Sequence, residues 1–419
     1  MPASLTTINN ILKELYTSAV IRQLNDEVLL LQRLDTSSDE ILVGKYAVVP
    51  LSIGRTGGVG DRTEFGTLPV SGNQRWLQAQ YNLAYKYARI GISGPSIAKS
   101  SKDAGAFLRV LKTEVDGATM DLKKDVARQL YGDQTGSITT VLSLTSGGGT
   151  ATLVLVVANA DPIDKGQLYV GQNLDIGSLA NPVLRNPASS YGTITAIATA
   201  TNSVTIASAS GANFGTPAAA DVLFRQGNTT AASVSYEMSG LAAIVSTTAG
   251  VIIGGINPAT AGQEVWENQR ATAAAVTQDA MQQIWSRVRR ASGEEPSVIV
   301  GSYGMRRQYF NTLQSQVSYQ NPTKLAGGFE ALDFNGLPLV ADHEAPYGRF
   351  YFLNESHLKI YAINAQGGTD FAWMNMDGAV LSRVVNQDAY EAILHRYMQI
   401  GTDKRDSHGV LSGIVDTGF

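Results

Sequence analysis

From Trp76 to Ser93 the residues alternate with a period of two. Leu77, Ala79, Tyr81, Leu83, Tyr85 and Tyr87 fall on one face; Gln78, Gln80, Asn82 and Lys86 fall on the other. This alternation predicts one long half-buried strand. Tyr46 to Ile53 reads as a second strand. Between them lies SIGRTGGVGDRTEFGTLPVSG, polar and rich in glycine. Two strands joined by about twenty such residues make a projecting hairpin, and loops of that length are uncommon unless functional or mobile. After Pro95 the period changes. Leu108, Leu111, Val115, Ala118, Leu122, Val126 and Leu130 recur every three or four residues between Asp103 and Tyr131. They predict an amphipathic helix on the order of 40 Å long. Ser101 or Asp103 can cap its start, and Gly132 stands where a left-handed terminating residue belongs. Arg109, Lys112, Glu114, Asp121, Lys123 and Lys124 give it a wet or partner-facing side.

The flanking regions differ in pattern. In residues 1–45, Leu5, Ile8, Ile11, Leu12 and Leu15 form a short helical stripe, and Val28 to Leu31 is an apolar run. An arm with so little local core packs on other parts of the chain or on neighbours. Between Gln134 and Asn228 charges become sparse, and short β-rich runs recur: SITTVLSL, TATLVLVV, QLYVGQNLDI, YGTITAIATA, NSVTIASA and DVLFRQG. They predict a small all-β barrel or sandwich inserted into an α/β chain. Beyond Gly240, Gln269 to Ala291 reads as a helix, SVIVG as a buried strand and Tyr303 to Leu313 as a second helix. LPLVAD, RFYFLN and HLKIYAI read as strands. Ala389 to Ile400 is a long strand and a candidate partner for Trp76 to Ser93.

Composition narrows the classes. The 419 residues are 44% hydrophobic and 16% charged, with net charge -4 and no cysteine. The apolar content is too high for a disordered chain, and the absence of a basic stripe argues against a dedicated nucleic-acid binder. Disulfides and thiolate metal sites are excluded. The N-terminal residues lack a basic region followed by an apolar core, so a secretory signal is not expected. Met238 to Gln263 carries no charge, but Ser, Thr and Gly interrupt it. It reads as buried strands and turns rather than a membrane span.

Candidate chemistry is sparse. A phosphate-cradling P-loop needs a lysine after its glycines, and none lies between Lys45 and Lys86. Gly58 and Gly60 begin a dinucleotide fingerprint, but Thr63 occupies the third glycine position and a strand follows. Asp342, His343 and Glu344 are adjacent, and neighbours on a strand point to opposite faces, so they do not close on one metal. His357, His395 and His408 fall in no zinc-ligand spacing. No G-x-S-x-G elbow occurs. Arg287, Arg289 and Arg290 end a predicted helix, where they offset its dipole or, alternatively, touch nucleic acid or a neighbouring subunit. For the glycine-rich loop the remaining readings are a flexible surface loop or a projecting arm. In the second, Arg55, Asp61, Arg62, Glu64 and Arg75 are the candidates for contact with a neighbouring subunit.

The order of parts (arm, long hairpin, spine-like helix, mixed α/β region ending in strands) resembles the tailed-bacteriophage major capsid protein, the Hong Kong phage 97 type of shell fold shared with encapsulins. SGLAAIVSTTAGVIIGGINPATAGQEVW, from Ser239 to Trp266, is similar to the family's stretch after the spine region. WSRVRRASGEEPSVIVGSYGMRRQYFNTL resembles the helix, strand, helix unit of its axial domain, and FNGLPLVADHEAPYGRFYFLNESHLKIY that domain's following strands. The resemblance implies an α+β phage major capsid fold with an N-terminal arm, extended loop hairpin, spine helix, peripheral and axial domains, plus an inserted all-β domain. The arm is expected at 1–45 and the hairpin at 46–93. The peripheral domain with the spine helix is expected at 94–133 and 378–402, the insert at 134–228, and the axial domain at 229–377 and 403–419.

By the same resemblance Ser52 to Gly72 reaches across an adjacent subunit, the arm lies on a neighbour, and glycines let the loop bend. Some relatives weld the shell through a lysine in this loop; the chain has none there. The implied function is structural rather than enzymatic, with no catalytic residue, cofactor or metal. Hexamers and pentamers of self would build an icosahedral shell in the virion, assembled in the host cytoplasm. The implied partners are a separate scaffolding protein, a portal, a decoration protein and double-stranded DNA held by weak, non-specific contact, with no membrane. An encapsulin-like nanocompartment is the alternative within the fold. A hydrolase with a β accessory domain, or a surface adhesin fragment, is the alternative outside it.

Overall fold

The computed structural model describes residues 29–37, 46–95, 104–179, 184–187, 190–228, 236–314, 323–324, 330–363, 370–374 and 382–416. Its spine is the helix Ala104–Leu130, which packs on the strands Ala84–Ser93 and Ala389–Thr402. These strands pair antiparallel, from Ala389 opposite Ser93 to Met398 opposite Ala84. Leu122, Val126 and Leu130 are buried as the helical stripe requires, while Glu114, Asp121 and Lys123 are exposed. The side chains of 104–113, the capping candidates Ser101 and Asp103, and the stripe from Leu5 to Leu15 lie outside the described residues.

The single strand expected from Trp76 to Ser93 is two strands. Arg75–Tyr81 pairs with Ala47–Gly54 to make the hairpin, and Ala84–Ser93 joins the spine-side sheet. The break at Asn82 and Leu83 resets the alternation. Ala79 and Tyr81 are buried before it; after it Ala84, Lys86, Ile90 and Ile92 point inward, and Tyr85 and Tyr87 face solvent. A one-residue slip moves every later side chain to the other face, so the predicted inward placement of Tyr85 and Tyr87 is reversed.

Other expectations shift as well. Gly132 does not adopt a left-handed conformation; the positive φ falls on Gln134, at 71°. Gly132 closes the helix end without that conformation, its N–H donating to the Gln129 carbonyl at 3.0 Å, and Gly240 packs so closely there that a side chain would lie 2.3 Å from the same oxygen. Gln269–Thr272 is a strand, and the helix that follows runs from Gln278 to Ser292. The Thr277 side chain accepts from the Ala280 N–H at its start, and Gly293 ends it at φ 75°. Met238 to Gln263 forms turns and the short helix Leu241–Ile244, with two isolated bridges, Ser239 to Asp133 and Ile253 to Ile256, and no longer strand. The described part of the arm packs on its own chain: Leu30 and Leu34 are buried in the central core, and Asp35–Ser37 adds parallel to Leu358–Ile363.

The low-charge block folds as a closed antiparallel barrel. Its strands are Ser137–Ser146, Thr152–Val157, Asn173–Gly177, Gly192–Ala198, Ser203–Ser208 and Val222–Arg225. Leu153, Leu155, Leu174, Ile176, Val204 and Ile206 alternate into a core of its own. Closure leaves no sheet edge open to pairing with another chain.

The axial part is a seven-stranded sheet. Val298, Val300, Tyr351, Leu353 and Val410 face the central core shared with the helix and hairpin. Ile299, Leu339, Phe350, Phe352 and Leu411 face a second core beneath Gln278–Ser292 and Tyr303–Gln314. A sheet covered on both faces needs apolar residues at successive positions, which is how SVIVG and RFYFLN read.

Candidate subunit-contact surface

The loop between Gly54 and Arg75 consists of two arms that run close beside each other. Thr56 Oγ1 donates to the Gly72 carbonyl at 2.8 Å, and a side chain on Gly72 would sit 2.7 Å from the Gly57 nitrogen. Gly72 therefore permits close approach of the two arms. None of the glycines in this loop has a positive φ; Phe65 does, at 64°. The Gly66 N–H donates to the Thr63 carbonyl at 2.8 Å and closes the turn in which Phe65 sits. A bulky side chain in that conformation is an outlier, and it is fully exposed.

The expected contact residues Arg55, Asp61, Arg62, Glu64 and Arg75 are all exposed on this loop. Arg62 serves the loop itself, donating to the Thr67 carbonyl at 2.8 Å and the Asp61 carbonyl at 2.9 Å. Arg75 lies against Gly262 at the loop root. Near it, the backbone N–H groups of Gly262 and Glu264 hold the Glu264 carboxyl below its usual range, with a smaller contribution from Arg75. Charge reasoning missed the apolar members. Val59, Phe65, Leu68 and Val70 are each at least 80% exposed. The signal was in the sequence, because each is an apolar residue in a segment with no core to serve.

The root is rigid. Arg405 is fully buried and donates to the carbonyls of Ile244 and Val251 at 2.7 Å, and of Ala243 and Trp266 at 3.3 Å. Burial lowers its guanidinium to about 10. A cleft of about 370 Å³ separates the strand residues Val49 to Ile53 from Trp266, His357 and Lys404. There His357 meets Asp403 through Nδ1 and Glu294 through Nε2, each at 2.7 Å, and Lys404 pairs with Glu294 at 2.7 Å. The Lys404 hydrogen bond, then His357, holds the Glu294 carboxyl below its ordinary range. These groups satisfy one another and hold the turn at 403–406. Both ring nitrogens of His357 are thus taken up by carboxylates.

The remaining candidates are structural. Asp342 accepts from the N–H groups of Leu30 and Glu344 through different oxygens, while Glu344 accepts from Gln167. Among the described residues no group of three or more His, Asp or Glu side chains is placed to hold a metal. Arg287 donates to the Arg270 carbonyl, and Arg289 pairs with Glu295 at 3.0 Å over the Trp285 ring. No helix of the described residues is long and apolar enough to cross a membrane.

The sequence matches no family model and no curated protein. Solved structures do match along almost the whole chain. A chain of the cyanophage A-1(L) capsid asymmetric unit superposes at TM-score 0.59 with 15% identity, covering 98% of this chain and 99% of that one. The capsid of a native GTA particle gives 0.49 at 10% identity over 99% and 100%. The SrpI encapsulin of Synechococcus elongatus gives 0.47 at 9% identity over 100% and 98%. The fold is that of the cyanophage capsid chain.

Proposed function

We propose that this protein is the major capsid protein of a tailed phage, a structural subunit that self-assembles into a closed icosahedral shell around the genome. The observation that carries the reading is the end-to-end match to the cyanophage capsid chain. The loop supports it, because it places apolar side chains in solvent where no described residue covers them. Burial of such groups against a neighbour is the main source of association free energy. Repeated copies in closed symmetric rings add those contacts cooperatively.

In this reading the loop lies on an adjacent subunit. Val59, Phe65, Leu68 and Val70 make the apolar contact, and Arg55, Asp61, Arg62, Glu64 and Arg75 fix its register. The chain performs no catalysis. Its slight net negative charge suits a shell that holds dense double-stranded DNA by weak, non-specific contact. A separate scaffolding protein, a portal and a decoration protein are the further partners, with assembly in the host cytoplasm.

Sedimentation of the purified protein, intact and with Gly54 to Gly72 deleted, tests the proposal. The intact chain should form particles far larger than hexamers. The deleted chain should stay a folded, unassembled subunit. Particles of unchanged size from the deleted chain would remove the loop from the mechanism.

A further inference from the structure

Among the described residues, side chains join the inserted barrel to the rest of the chain on two sides besides its connections. On one side the short helix Asp161–Asp164 lies against the loop that follows axial strand Leu337–Ala341. Lys165, its side chain 3% exposed, pairs with Asp161. Its ammonium also donates to the carbonyls of Ala345 at 2.7 Å and Glu344 at 3.3 Å, 4.9 Å from the centre of the Tyr347 ring. Gln167 Nε2 donates to Glu344 Oε2 at 2.7 Å, and the Tyr347 N–H donates to Asp161 Oδ2 at 3.3 Å. Burial pushes the carboxyls of Asp161 and Glu344 up.

On the other side Arg225, on the last barrel strand, pairs with Asp125 of the spine helix at 3.0 Å. Asp125 also holds Arg128 at 3.1 Å, and Arg128 pairs with Glu237. Glu237 in turn accepts from Asn228 at 2.7 Å, just past the barrel. The chain therefore enters and leaves the barrel beside one charged network on the helix.

We infer that the barrel is a strut fixing the axial sheet to the spine helix, rather than a module hung on two connections. A tethered module would need neither contact. A lysine ammonium withdrawn from water and aimed at main-chain carbonyls of another domain holds an orientation, because removing it leaves those carbonyls unpaired. The contact is also confined. A cleft of about 540 Å³, with Asn159, Asp164, Pro346 and Arg349 on its walls, flanks it. A few polar side chains therefore carry the connection, and a single substitution can release it. The inference concerns one chain and holds whether or not that chain builds a shell.

Hydrogen exchange on the full-length soluble protein, comparing wild type with Lys165→Met, tests it. In the wild type the peptide spanning residues 342–349 should be protected. In Lys165→Met its exchange should rise about tenfold or more, the factor that about 1.4 kcal/mol represents, while the barrel strands around Leu155 and Ile206 stay protected. Should that variant fail to fold, Gln167→Ala removes only the bond to Glu344 and should accelerate the same peptide by a smaller factor. Wild-type exchange at the rate of an open loop would overturn the strut. So would a peptide unaffected by either substitution.

Discussion

Phe65→Ala separates what the loop does for the free subunit from its proposed part in a shell. The ring is 100% exposed and its backbone sits at φ 64°, so the free subunit draws no packing from it. Urea unfolding of the unassembled variant should match wild type within about 0.5 kcal/mol, the usual range for surface positions. Once the loop seats on a neighbour, burying a phenylalanine is worth about 1.5–3 kcal/mol. Losing it should weaken each loop contact about 10–150-fold. Light scattering against protein concentration measures this directly, since assembly should begin at a clearly higher concentration for Phe65→Ala. Phe65→Gly should lose the same contact while relieving the left-handed backbone in the free subunit. Assembly at an unchanged concentration would refute the reasoning. So would a large loss of stability in the free subunit, which would make Phe65 a core residue.

Three further outcomes follow from buried charge. Arg405→Met leaves two short and two longer carbonyl contacts without a donor and should cost about 3–6 kcal/mol in urea unfolding; a loss under about 1 kcal/mol would contradict the root described above. Burial lowers the Lys86 ammonium from 10.5 to about 8. The unfolded chain thus holds a proton that the folded chain has released between those values, and stability should rise with pH across that window by about 3 kcal/mol. Lys86→Met should abolish that rise, and identical pH profiles would sink the assignment. Burial lowers His408 from 6.5 to about 3, with Nδ1 accepting from the Asn354 N–H and Nε2 facing Thr402 Oγ1. Its unfolded form takes up a proton first, so stability should fall as pH drops from about 6.5 toward 3, and His408→Asn should flatten that slope.

Local periodicity carried much of the fold. The helix Ala104–Leu130, each barrel strand, and the pairing of Ala84–Ser93 with Ala389–Thr402 were legible because each element keeps one periodicity from end to end. Where two neighbours share a segment, periodicity misled. Arg75–Tyr81 and Ala84–Ser93 serve different sheets, so their common alternation hid the break at Asn82 and Leu83. Gln269–Thr272 reads as helix because alanines follow it, yet its backbone pairs with Gly409–Ser412, more than a hundred residues away in sequence. The left-handed end expected at Gly132 failed because its N–H bonds back to the Gln129 carbonyl without a positive φ, under a close approach of distant Gly240 that local sequence does not reveal. In the loop the charges were read and the apolar tip was not, since a lone phenylalanine among glycines has no periodicity to reveal it.

Electron microscopy of the purified protein, with its particle mass from light scattering, tests the shell reading most directly. Closed icosahedral particles, with the hairpin of each subunit lying over its neighbour, are the predicted result. A monodisperse monomer or dimer at every concentration, with or without phage lysate, would contradict it.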